Sequence, residues 1–164
     1  MTTAPRFFED SLELLREHTE RFFALYSKKE DGTSEADSLT RALSTLSRRN
    51  DSASKQQRLE IEARLDIPPM PEEYGFAWAS FTDLQATRGS NGFSANPLTY
   101  LEMEAYMRLS GRILLPHEIR AIKTIDAAYL NVQADVSKAA KSARETQKKS
   151  SELVPVAKRA SRRG

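Results

Sequence analysis

Between Thr99 and Pro116 the chain writes its own helix boundaries. Thr99 and Glu102 form a T-x-x-E capping box, in which the hydroxyl accepts from the third helical N–H and the carboxylate returns to the cap. Leu98 and Met103 hold the positions of a hydrophobic staple. An apolar face continues through Tyr106, Met107 and Leu109, and Gly111 supplies the stop. Pro116 opens the next helix with Glu118 in its first turn. Ile119, Ile122, Ile125, Tyr129, Val132 and Val136 then carry one stripe for about five turns. Start and stop signals this dense commit the region to helices.

Upstream, residues 71–87 carry an apolar face of Tyr74, Ala77, Trp78, Phe81 and Leu84, with the single tryptophan at its middle. Gly75 weakens that helix and is expected to permit a close approach by another segment. The loop 88–97 is rich in turn residues, and Gly89, Asn91 and Gly92 can take positive φ at little cost. The run Ile67-Pro68-Pro69-Met70-Pro71 forces an extended connector, because each proline disfavours α geometry in the residue before it.

The N-terminal part reads as three helices. Residues 5–27 place Phe8, Leu12, Leu15, Phe22 and Tyr26 on one stripe, with Pro5 suited to the first turn. Residues 28–37 hold no apolar side chain larger than alanine and read as a linker. A shorter helix follows over 37–49, with Asp37 or Ser38 as its cap. Residues 55–67 alternate Leu59, Ile61, Ala63 and Leu65 like a strand, yet their Gln, Glu and Arg fillers favour a helix and no strand is available to pair. The predicted fold is all-α: an N-terminal helical lobe (1–66), a central three-helix unit (67–137) and a basic, partly disordered tail (138–164).

Charge is unevenly spread. From Lys138 onward nine basic residues face only Glu145 and Glu152, a net +7, so the total of +2 leaves the first 137 residues at −5. Such a tail is suited to something negative. Its nucleic-acid candidates are Lys148, Lys149, Lys158, Arg159, Arg162 and Arg163. No aromatic residue accompanies them, so contacts would be to phosphate alone, non-specific and steeply salt-dependent. A helix-turn-helix reading fails because the would-be recognition helix, PHEIRAIKTID, alternates acid and base.

Little here can do chemistry. Without cysteine there is no disulfide frame, thiol nucleophile or Cys-based zinc site. His18, between Glu17 and Glu20, and His117, in a first helical turn, read as surface histidines. Glu102 and Glu104 point in different directions and cannot pair for acid–base work. Asp126 sits beside an apolar stripe, where Arg112, Arg120 or a helix N-terminus would make it half of a structural ion pair. The Arg88–Phe93 loop lacks the spacing of a phosphate cradle. No catalytic, cofactor or metal residue is predicted, and the chain is not read as an enzyme. Neither a run of about 18 apolar residues nor a signal-peptide order appears, so a soluble intracellular protein with no membrane partner is expected.

The segments PPMPEEYGFAWASFTDLQATRGSNGF, NPLTYLEMEAYMRLSG and LLPHEIRAIKTIDAAYL, in this order, resemble the tail assembly chaperones of long-tailed bacteriophages and related prophage or gene-transfer elements. The likeness covers residues 68–130, with no part in the first 66 residues or the tail. It implies a non-enzymatic helper of the host cytoplasm, absent from the mature virion, that binds the tape measure protein and helps recruit tail tube subunits. Self-association is compatible with it. A small helical unit of this kind would hold an amphipathic client helix through a few anchors. Tyr74, Trp78, Phe81, Phe93, Tyr106 and Tyr129 form the pool from which core and partner-binding residues are drawn. The alternative is a small helical nucleic-acid-associated protein acting through its basic tail.

Overall fold

A computed structural model describes residues 4–29, 31–49, 51–90 and 94–152. Among them lie six α-helices: α1 (Ala4–Tyr26), α2 (Glu35–Leu46), α3 (Ser52–Leu65), α4 (Gly75–Ala86), α5 (Tyr100–Ser110) and α6 (Pro116–Glu152). A 3₁₀ turn over Glu72–Tyr74 leads into α4. The described residues form no strand, only an isolated bridge between Ser90 and Ala95. The all-α expectation holds.

Two cores organise the helices. The larger joins Leu15 of α1, Tyr74, Phe81 and Leu84 around α4, Leu98 and Met103 at α5, and Ile122 and Ile125 of α6. The smaller joins Leu25 to Ala36 and Leu39 of α2, flanked by Ile61 and Leu65 of α3. Helix α1 therefore serves both. It runs parallel to α6: Phe8 lies 6.2 Å from the His117 ring near one end, and Gln133 reaches Ser27 at 3.4 Å near the other. Its inward line includes Ser11 and Thr19, both buried. Ser11 bonds Glu73 across to the start of the α4 region, and Thr19 donates to the Arg16 carbonyl at 2.9 Å, so both polar groups are satisfied. Phe8 and Tyr26, expected on the buried stripe, are about half exposed.

Helices α2 and α3 run antiparallel, since Arg64 near the end of α3 bonds Glu35 at the start of α2 at 2.6 Å. Arg21 of α1 donates to the last carbonyls of α3, supplying partners that a helix C-terminus lacks. The start of α2 departs from expectation: its cap is Ser34, and Ser34 with Asp37 forms a full capping box. Aspartate stood at the position where glutamate or glutamine usually signals the box, which hid it. Asp51 caps α3, and the mixed segment is a helix.

Around α5 the expected signals are all used. Thr99 and Glu102 close the capping box, and Leu98 and Met103 are buried together. Gly111 takes φ +69°. The Leu115 N–H donates to Glu118 at 2.7 Å, tying the start of α6. Other details differ. Gly75 has open space where its Cβ would be, so nothing approaches it closely. Gly89 does not use positive φ, while Asn91 and Gly92 lie outside the described residues. The first part of the basic end, through Glu152, continues α6, and residues 153–164 lie outside the described residues. Ala, Lys, Arg, Gln and Glu are frequent there, and their propensity favours continuing the helix.

Candidate partner-binding face

Ring packing absorbs much of the aromatic pool. Tyr74 and Phe81 are buried. Trp78 is half-buried, stacked on Phe23 at 5.7 Å and meeting Phe22 edge-on at 5.1 Å. Tyr129 meets Phe23 edge-on at 5.3 Å. These contacts bind α1 to α4 and α6. Tyr106 is placed differently: its hydroxyl donates to Asp83 at 2.9 Å and accepts from Arg112 at 3.1 Å, bridging α4 and α5. Phe93 lies outside the described residues, as do Lys158, Arg159, Arg162 and Arg163 and the side chain of Lys149. Lys148 is exposed on α6.

Both histidines are half-buried, contrary to the surface reading. The His18 Nδ1 lies 2.6 Å from the Pro68 carbonyl, and its ring meets Trp78 at 5.8 Å, so it joins α1 to the proline connector. His117 lines a pocket with Phe8, Leu12 and Tyr74. The flanking glutamates made His18 look solvent-facing; its position on the helix turns it inward.

Asp126 is half of a structural ion pair, but with Arg88. The pair closes at 2.5 Å with both side chains almost wholly buried. Asp126 also accepts the Leu98 N–H at 2.9 Å. Arg88 further donates to the Asn96 carbonyl at 2.7 Å and lies 5.0 Å from the Tyr129 ring. Lys123 adds a bond to the Leu98 carbonyl at 2.8 Å. The loop between α4 and α5 is thereby fastened to the middle of α6. Charged groups this committed to structure are not offered to a ligand.

The exposed apolar surface lies elsewhere, and sequence reasoning missed it. Leu101 is 76% exposed, Leu109 89% and Ile113 78%. Leu101, Ala105 and Leu109 recur every four residues on α5, away from the buried Met103. Leu109 and Ala105 line an open groove between α4 and α5 with Leu84, Thr87, Glu102 and Tyr106. Leu109 was expected on the core face of α5. The available signal was that α5 is apolar on two sides, while one core-facing stripe needs only Met103 and Met107. A cluster of large apolar side chains left in water marks an interaction surface.

Residues 53–131 match the phage tail assembly chaperone family. The matched segment runs from α3 to the middle of α6 and is just under half of the chain. It begins earlier than the resemblance did, so residues 53–66 belong with it. The exposed α5 face lies wholly inside the matched segment. So do Arg88, Thr99, Glu102, Gly111 and Asp126, which cap helices or pin the loop. No curated protein and no solved structure matches the chain. The family match supports a role in tail assembly. Among the described residues no helix is long and apolar enough to cross a membrane.

Proposed function

We propose that this chain is a non-enzymatic chaperone of phage tail assembly that holds the tape measure protein and helps bring tail tube subunits to it. The observation that carries this reading is the exposed apolar face of α5, inside the segment that matches the family. An amphipathic client helix can lay its own apolar stripe along Leu101, Ala105 and Leu109, with Leu84 at the floor of the adjoining groove. A long helical tape measure protein presents such stripes repeatedly. The work is done in the host cytoplasm, and the chaperone leaves before the virion is complete. The test is affinity capture of the co-expressed tape measure protein by the full chain and by a Leu101→Ser, Leu109→Ser variant. Both sites are exposed, so the variant should keep its helical circular dichroism while capture falls about tenfold or more. Equal capture by both would overturn the α5 site. Recovery of nuclease-sensitive nucleic acid in place of the tape measure protein would overturn the chaperone reading and favour the basic end.

A further inference from the structure

We propose that the basic, projecting end of α6 docks on the acidic outer face of α1 in a second copy of the chain. Neither surface lies within residues 53–131, so the proposal is independent of the client-binding reading.

The two faces match in charge and length. On α1, Glu9, Glu13, Glu17 and Glu20 fall at four-, four- and three-residue spacing, all exposed, along about 16 Å of helix. On α6, Lys138, Lys141, Arg144 and Lys148 are exposed over about 15 Å, with Glu145 the one acidic residue among them. Arg16 pairs with Glu13 and Glu20 within α1, and Lys138 lies 3.5 Å from Asp135. Glu17 and Lys141 have no ion pair among the described residues. These are the charges a partner would neutralise.

Geometry makes the contact intermolecular. Helices α1 and α6 run side by side in parallel, and α1 ends beside Gln133. From there to Glu152, α6 continues beyond the end of α1 for about 28 Å, with residues 94–97 beside it as far as Lys141. Glu20 lies level with residues 123–131, in a pocket shared with Lys123, Thr124 and Asn131. A continuous helix cannot turn back to reach it. A second copy can, and because the two faces differ, the pair still offers one undocked face of each kind, acidic on one copy and basic on the other. Such a heterologous contact propagates head-to-tail.

The test is sedimentation velocity of the nuclease-treated full chain across a concentration series, at about 50 mM and about 500 mM salt, where screening lengths differ severalfold. The wild type should grow beyond a dimer at low salt and revert to monomer at high salt. Two charge-swapped chains, Glu13→Lys with Glu17→Lys and Lys138→Glu with Lys141→Glu, should each stay monomeric. Mixed in equal amounts they should associate again, since each then meets its opposite. A wild type that stays monomeric at low salt would overturn the proposal. So would association unchanged by either swap, or a mixture that fails to recover it. Association that disappears on nuclease treatment would overturn it in favour of a nucleic-acid bridge.

Discussion

Arg88 and Asp126, 38 residues apart in the chain, close a buried ion pair at 2.5 Å that pins the α4–α5 loop to α6. The same carboxylate accepts the Leu98 N–H, so one side chain fixes both ends of the loop. Leu98 in turn packs with Met103, which sets where α5 begins its path over the core. The exposed face of α5 is aimed by this fastening.

Removing one partner should be costly and removing both less so. Arg88→Met leaves a buried carboxylate without its cation and should lower stability by about 3–5 kcal/mol. Asp126→Asn keeps an acceptor for Leu98 while discharging the pair. The double variant should recover part of the loss, giving a coupling energy that urea unfolding of the four proteins measures. Strict additivity would show that the pair does not act as a unit.

The start of α5 should be sensitive to acid. The Glu102 carboxyl is held below its ordinary pKa, first by the Thr99 backbone N–H and then by the Thr99 hydroxyl. Its contribution is therefore full above the ordinary glutamate value and is lost as pH falls through the lowered folded value. Thr99→Ala should cost about 1 kcal/mol and move the Glu102 titration, followed by NMR, back toward the ordinary value. An unmoved titration would mean that the hydroxyl is not a contributor.

Two glycines should respond with opposite signs to alanine. At Gly111, φ of +69° is unfavourable to any L side chain, although nothing lies within 4 Å of the added Cβ. Gly111→Ala should cost about 1–2 kcal/mol. Gly75 is helical at φ −55° and also has open space, so Gly75→Ala should stabilise by about 0.4–1 kcal/mol. Thermal unfolding of the two variants decides it.

Local signals were readable because local interactions make them. Thr99, Glu102, Gly111 and Pro116 act within a turn or so of themselves, and each was used as its chemistry requires. Asp126 was legible as an ion-paired residue but not by partner, since Arg88 is brought to it only when α4 and α6 pack. His18 looked solvent-facing for the same reason: its partner, the Pro68 carbonyl, lies 50 residues away. Leu109 satisfied the pattern of a core residue, yet α5 is covered on one side alone. Periodicity tells which faces of a helix are apolar and cannot tell which of them a neighbour will cover.

The sequence by itself determined the helices, the capping box of α5 and the glycine stop that follows it, because those depend on side chains and backbone acting within a turn of themselves. Only the tertiary structure decided that α1 lies along α6, that Arg88 meets Asp126, and that one apolar face of α5 stays in water. Those outcomes rest on packing and desolvation between distant segments, which no local pattern encodes.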